Sequence, residues 1–141
     1  MLPRADAYVA PSPVHGRGVF AGRRFDGGEE IEAAPVIVVP YEAKDHLDWT
    51  PLWGYYFEWR DAGAGVALGF GSLYNHSWTP NARYDQDFDG EVVRFTALRT
   101  IEPGEEITIN YTGEPGGRGE LWFDPVPAPE RPSGSAATQD Q

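Results

Sequence analysis

Glycine and proline divide this chain into short apolar runs, and that spacing limits what the chain can fold into. The 141 residues include 17 glycines and 13 prolines. Glycine destabilises the interior of a helix, and proline removes a backbone donor and breaks it. The runs between them are rich in β-branched and aromatic residues, which favour strands. The sequence therefore predicts a mostly β domain of short strands with little helix.

The predicted elements follow the chain in order. Asp89-Gly90 predicts a hairpin turn, and residues 107–111 alternate with a period of two. A short helical turn is predicted over residues 41–47. Two glycines within the apolar run 66–71 predict a buried strand with close backbone approach. The predicted strands are residues 8–10, 18–21, 30–33, 35–40, 55–59, 66–71, 91–98 and 107–111.

The composition excludes several classes of protein. The net charge of −11 and the pI of about 4.5 disfavour direct binding to nucleic acid and favour a basic protein partner, although acidity also serves solubility alone. The absence of cysteine excludes disulfides and thiolate metal sites. No apolar run reaches the roughly 18 residues of a membrane span, and the first residues lack the apolar core of a secretion signal. A soluble, cytoplasmic protein is predicted.

The two ends of the chain differ in composition. Residues 125–141 are rich in Pro, Ser, Ala, Thr and Gln and cannot bury enough apolar surface to fold. The sequence predicts one domain over residues 1–124 and a disordered tail over residues 125–141.

Three polar segments carry side chains that are able to do chemistry. Gly16-Arg17-Gly18 allows backbone to pass close to a ligand, although alone it would indicate a hairpin turn. Residues 74–81 (YNHSWTPN) place an amide beside an imidazole, and alone such a pair is more often structural. Residues 104–111 (GEEITINY) would alone indicate an edge strand with an exposed tyrosine.

In this order, the three segments resemble the signature motifs of SET-domain protein lysine methyltransferases, in particular the short, zinc-free viral and bacterial members. The resemblance covers roughly residues 6–123. It implies a β-clip-like fold of small curved sheets with a C-terminal pseudoknot. It also implies methyl transfer from S-adenosylmethionine to a lysine side chain of a protein.

The resemblance assigns roles to individual residues. It implies that Gly16, Arg17 and Gly18 contact the methionine portion of S-adenosylmethionine. It implies that Asn75 and the backbone at His76 bind the amino-acid and adenine ends of the same cofactor.

On the substrate side, the resemblance makes Tyr111 the catalytic tyrosine and Tyr55 a second tyrosine of the lysine channel. Tyr56 competes with Tyr55, since strand alternation would point only one of them inward. Trp122 is expected to stack on adenine and Phe123 to line the channel. A plain hydrophobic clasp of the C-terminus is the alternative.

The chain departs from the family pattern at two positions, with Asn110 in place of Asp and Trp78 in place of Cys. Asn110 and the missing zinc-bound, cysteine-rich segment favour a non-catalytic SET-like interaction module as the alternative function, and a free amine or a different side chain is the alternative acceptor. His15 and His46 lack partners at metal-binding spacing, so no metal site is predicted. A homodimer is an open possibility.

Overall fold

Two small, curved β-sheets make up the fold in the computed structural model, which describes residues 6–117. The first sheet contains β1 (Ala7–Pro11), β2 (Arg17–Ala21), β6 (Asn75–His76) and β9 (Glu106–Ile109). In space these strands follow the order β1-β2-β9-β6. The pairing of β6 with β9 is parallel, and the other pairings are antiparallel.

The second sheet has five antiparallel strands. They are β3 (Glu30–Val39), β4 (Phe57–Glu58), β5 (Ala64–Ala67), β7 (Ala82–Asp87) and β8 (Val92–Ala97), and their spatial order is β4-β5-β3-β8-β7. The turn predicted at Asp89-Gly90 joins β7 to β8, so that hairpin is confirmed. Asp87 fixes the turn by accepting the backbone N–H of Gly90 at 2.9 Å.

Helix is sparse, as predicted. The one α-helix of residues 6–117, α1 (Tyr41–Asp48), confirms the helical turn predicted at this point, and a 3-10 turn follows at Arg60–Ala62. In the described part of the chain, no helix is long and apolar enough to cross a membrane. The mostly β fold of curved sheets is confirmed.

β3 corrects the prediction of two strands separated by Pro35. It is one strand of ten residues. Its first half, up to Pro35, pairs with β8, and its second half, from Val36, pairs with β5. Proline is tolerated here because it stands at the end of one ladder, where its missing N–H interrupts no continuous run of strand bonds.

Two other predicted strands are shorter than expected. The run 55–59 contributes only β4, and the run 66–71 becomes turns after Ala67. The Glu32 carboxylate accepts the backbone N–H of Phe70 at 2.9 Å, which holds this turn. The predicted close approach is confirmed at Gly71, where a Cβ atom would lie 2.6 Å from that of Ala67.

The core lies between the two sheets and includes alternate residues of β8 and β9. Val93 and Phe95 are fully buried on β8, as is Ile107 on β9, and Ile109 is nearly so. Each such side chain contributes roughly 1.5–3 kcal/mol relative to leaving it exposed. The period-two prediction for β9 is therefore confirmed, and burial on this face fixes the register that places the next residues, Asn110 and Tyr111.

Candidate active site

The Gly16-Arg17-Gly18 turn passes close to two other polar segments. Gly16 has a φ of +51°, a conformation that favours glycine. A Cβ atom on Gly18 would lie 2.2 Å from Oε2 of Glu106 and 2.8 Å from Nδ2 of Asn75. A side chain at position 18 would therefore require the Glu106 carboxylate and the Asn75 amide to move out of their hydrogen bonds.

Asn75 joins that turn to β9. Its buried Nδ2 donates towards the carbonyl oxygens of His15 (3.1 Å) and Arg17 (3.2 Å) and to Oε2 of Glu106 (2.9 Å). One amide cannot satisfy three acceptors fully, since it has two hydrogens. Three oxygen acceptors, from His15, Arg17 and Glu106, thus surround the Asn75 amide nitrogen. We call this group of oxygens the acceptor cradle.

Glu106 completes the acceptor cradle and was not identified as a site residue from the sequence. Besides Asn75, it accepts the Ser12 hydroxyl, which lies 2.8 and 2.9 Å from its two oxygens. The signal that could have found it is the second glutamate of the GEEITINY segment. A part-buried glutamate at the start of a strand needs hydrogen-bond partners, and here those partners are Ser12 and Asn75.

The parallel pairing of β6 with β9 brings the two signature segments together. The backbone N–H of Tyr111 donates to Nδ1 of His76 at 3.0 Å, so that nitrogen carries no proton. The Trp78 ring packs edge-on against His76 at 4.4 Å between centroids, which gives the residue in place of the family cysteine a packing role. The structure thus brings Asn75, His76 and Tyr111 to one place, as the resemblance implied.

The Tyr111 hydroxyl donates to the carbonyl oxygen of Tyr74 at 2.5 Å. Burial, followed by the nearby Tyr55, Tyr84 and Glu106, raises the pKa of this hydroxyl. Tyr111 therefore stays a neutral phenol at physiological pH. Its oxygen keeps lone pairs that are able to accept a hydrogen bond from an amine.

Tyr111 lines a cavity of about 460 Å³. Tyr55 and Tyr56 both line it, which corrects the expectation that only one of them would point inward. The expectation failed because residues 55 and 56 lie in a bend rather than in a strand, so alternation does not apply. Tyr55 is 45% exposed, whereas the Tyr56 hydroxyl is held by Asp48 at 2.7 Å.

Tyr84 is a cavity residue that the sequence analysis missed. Its hydroxyl donates to the Tyr111 carbonyl at 3.3 Å, and its ring meets Phe57 edge-on at 5.0 Å. Burial, with smaller contributions from the charges of Glu58 and Glu114, raises the pKa of Tyr84 to about 12. The sequence around Tyr84, near the start of β7, does not predict this role. Its contact with Tyr111 depends on how β7 packs against the end of β9 in the tertiary structure.

Asn110 is fully hydrogen-bonded where the family pattern has aspartate. Its Nδ2 donates to the carbonyls of Pro115 (3.3 Å) and Gly117 (3.0 Å), and its Oδ1 accepts from the backbone and hydroxyl of Thr112 (3.0 and 2.7 Å). An aspartate could not make the first two bonds, because an ionised carboxylate only accepts. The amide thus anchors the chain just after β9 without a charge.

Trp122 and Phe123, predicted to contact adenine and the lysine channel, lie outside the described residues, as do the predicted domain end and tail. Within residues 6–117, the oxygens of the acceptor cradle keep further lone pairs and are of the chemical kind that the ammonium group of S-adenosylmethionine requires. These oxygens come from the backbone of His15 and Arg17 and from Glu106. The amino-acid end of the cofactor carries an ammonium group, which donates hydrogen bonds and needs such acceptors.

Comparisons with known proteins agree with this geometry. Residues 16–112 match the family model of the SET domain. The chain is 34% identical over 110 residues to a histone-lysine N-methyltransferase of Schizosaccharomyces pombe, H3 lysine-37 specific, and the match covers 77% of this chain and 71% of that protein.

Two solved structures share the fold. A Plasmodium falciparum protein assigned as a histone methyltransferase has a TM-score of 0.65 and 26% identity, over 88% of this chain and all of that one. The Chaetomium thermophilum Polycomb repressive complex 2, bound to S-adenosylmethionine, has a TM-score of 0.64 and 20% identity, over 78% of this chain and 15% of that chain. With a family model over most of its length and a relative of this similarity, the chain belongs to the SET-domain family of S-adenosylmethionine-dependent protein-lysine methyltransferases.

Proposed function

We propose that this chain methylates a lysine of a basic protein, with histones as the first substrate class to test. The observation that carries the proposal is the position of Tyr111. Its backbone binds His76 beside the acceptor cradle, and its side chain lines the tyrosine-rich cavity. One residue therefore touches both the cofactor side and the substrate side.

The cavity suits the chemistry that a lysine needs before it accepts a methyl group. The reference pKa of lysine is about 10.4, so the amine must lose a proton first. Aromatic walls disfavour the charged ammonium form. The Tyr111 hydroxyl donates a hydrogen bond to the carbonyl oxygen of Tyr74. Its oxygen would accept an N–H from the lysine amine and so orient it. Tyr55 lines the same cavity and would form the channel wall.

The cofactor side would be formed by residues of the two signature segments. Bound S-adenosylmethionine supplies a methyl group activated by a positively charged sulfur. We assign Gly16, Arg17 and Gly18 to its methionine portion, and Asn75 and the His76 backbone to its amino-acid and adenine ends. The buried bonds of Asn75 support this assignment because they fix the amide against the turn.

Charge supports a basic substrate. The chain carries 22 acidic and 11 basic residues. The charges of Asp48, Glu58 and Asp45 lie near Tyr56, and the Lys44 ammonium lies 5.5 Å from the Tyr56 ring centroid, so acidic groups outnumber basic ones at this wall. The S. pombe relative is named for lysine 37 of histone H3. Histone H3 is therefore the first protein to test, while a cytoplasmic location and a homodimer stay predictions.

The bonds of Asn110 weaken the case for a non-catalytic module. That case depended on the loss of the family's aspartate. Asn110 anchors the chain after β9 with four hydrogen bonds of its own. For this reason we prefer the hypothesis that the chain is an active methyltransferase.

The test is methylation of recombinant histone H3, and of lysate proteins, by the purified protein with S-adenosylmethionine, read by mass spectrometry. Tyr111→Phe is expected to lower kcat by about 100-fold, as for loss of one preorganised hydrogen-bonding group. Tyr41→Phe is the matched control, since Tyr41 lies exposed on α1 outside the cavity lining.

Two outcomes would contradict the proposal. Failure of the wild type to methylate any lysine would exclude the proposed activity. Retained kcat in Tyr111→Phe with an altered number of methyl groups would show that Tyr111 limits the width of the channel rather than orienting the amine.

A further inference from the structure

Glu58 differs from every other described residue of the cavity wall. It is the only one of them that carries a charge at neutral pH. The others are glycines, aromatic residues and neutral polar or aliphatic residues. A carboxylate on such a wall attracts a cation that binds near it, because no other described lining residue carries a charge.

The backbone of Glu58 is fixed. β4 pairs it with Ala64 of β5, and the Gln86 side chain donates to its carbonyl oxygen at 2.6 Å. The side chain is exposed, and within residues 6–117 its carboxylate makes no ion pair or hydrogen bond. A fixed backbone with an unpaired carboxylate presents a charge at a defined place without a partner from its own chain.

The surrounding charges reinforce this. After burial, the charge of Glu58 is one cause of the raised pKa of both Tyr56 and Tyr84. Its carboxylate therefore lies near two of the tyrosines that line the cavity. The arginines of the described ion pairs bind other carboxylates. Those arginines are Arg23, Arg24, Arg60, Arg83, Arg94 and Arg99. None of these six arginines therefore neutralises Glu58, and no ion pair within residues 6–117 includes its carboxylate.

We propose that Glu58 is a specificity-determining residue that binds a cationic side chain of the substrate, an arginine or a second lysine, next to the lysine that is methylated. This inference rests on the proposed function. The reacting lysine itself is a poor partner, because a carboxylate beside it would stabilise the ammonium form and hinder attack. A cationic side chain next to the reacting lysine would be attracted to the Glu58 carboxylate in the same way. Because that side chain does not react, its charge would not hinder methyl transfer.

The probe is a set of peptides with one central lysine and, at a single neighbouring position, either arginine or its neutral isostere citrulline. The measured quantity is the ratio of kcat/KM for each arginine peptide to that for its citrulline pair. For the wild type, the ratio is expected to exceed one at one or two positions. Glu58→Gln is expected to lower that ratio by about three- to tenfold, mainly through KM.

Two variants make the result specific. Glu58→Lys is expected to bring the ratio below one, since like charges then meet. Glu102→Gln removes the same charge from an exposed turn outside the cavity lining and should leave the ratio at its wild-type value.

The outcomes separate the inference from the proposed function. Active wild type and active Glu58→Gln with equal ratios would overturn the role of Glu58 while leaving lysine methylation in place. A change in the pH dependence of kcat in Glu58→Gln, with an unchanged ratio, would place Glu58 beside the reacting lysine and overturn the inference as well. Lack of methylation of any peptide or protein by the wild type would overturn both.

Discussion

The proposed cofactor side and the proposed substrate side of this site are built in opposite ways. The cofactor side is a buried polar network, in which Asn75, His76, Asn81 and Asn110 are the buried polar residues of the described chain. The substrate side is an exposed aromatic wall beside α1, a helix with no buried residue. Trp49, next to that helix, is 90% exposed.

The difference shows where each side gets its shape. Buried polar groups need hydrogen-bond partners, and the three asparagines of the network have them through a few bonds with fixed geometry. Asn81, for example, donates to the Glu106 carbonyl at 2.8 Å and accepts from Thr108 at 2.9 Å. On the aromatic wall, hydrogen bonds hold the hydroxyls of Tyr56, Tyr84 and Tyr111, whereas the Tyr55 side chain is half exposed and its hydroxyl makes no hydrogen bond within residues 6–117. We infer that the first side tolerates almost no change, whereas the second is able to vary with the substrate.

The largest effect is expected from a methyl group placed inside the network. Gly18→Ala would put a Cβ atom 2.2 Å from Glu106. Overpacking of this kind costs up to about 3 kcal/mol of folding stability. The dissociation constant for S-adenosylmethionine is expected to rise by about tenfold or more, measured by isothermal titration calorimetry.

Gly116→Ala is the matched control, because a Cβ atom there would meet nothing within 4 Å. It should bind the cofactor like the wild type. Wild-type affinity in Gly18→Ala would show that the cofactor turn is able to shift, and the contrast between the two sides would be weaker than we infer.

An intermediate effect is expected at Asn110. In Asn110→Asp, an ionised carboxylate would face the carbonyls of Pro115 and Gly117, to which the amide now donates. The free energy of unfolding is expected to fall by about 1–2 kcal/mol near neutral pH, measured by chemical denaturation.

This loss should depend on pH. The protonated carboxyl still donates one bond, so the folded state raises its pKa above the unfolded value of about 3.9. The hydrogen bond from the neutral carboxyl contributes fully to folding stability below the unfolded pKa. That contribution is lost as the pH rises through the folded pKa. Asn110→Asp should therefore be less stable, relative to the wild type, at about pH 8 than at about pH 5. An equal deficit at both values would contradict this account, and Asn110→Ala serves as the control without a titrating group.

The smallest effect is expected at Trp49, which follows α1 and lies outside the described cavity lining. Trp49→Ala removes a side chain that is 90% exposed, so the free energy of unfolding should change by less than about 0.5 kcal/mol. The measurement is the same chemical denaturation. A larger loss would mean that Trp49 packs against a part of the chain beyond residues 6–117.

Much of the site could be predicted because its residues are contiguous in the sequence. The segments that carry Gly18, Asn75 and Tyr111 have the order and the internal spacing of the family's signature motifs. Local patterns also predicted α1 and the hairpin at Asp89-Gly90. Patterns failed where tertiary contacts override them: β3 runs through Pro35 because two different partners bind its two halves.

The amino-acid sequence by itself determined the class of this protein, its mostly β character and the candidate residues of both sides of the site. Only the tertiary structure decided that Glu106 belongs to the acceptor cradle, that Tyr55 and Tyr56 both face the cavity, and that Glu58 stands alone in its wall. The reason is that sequence patterns report local preference and burial. Whether two side chains meet depends on which strands pair, and β9 selects its partners from segments far away along the chain.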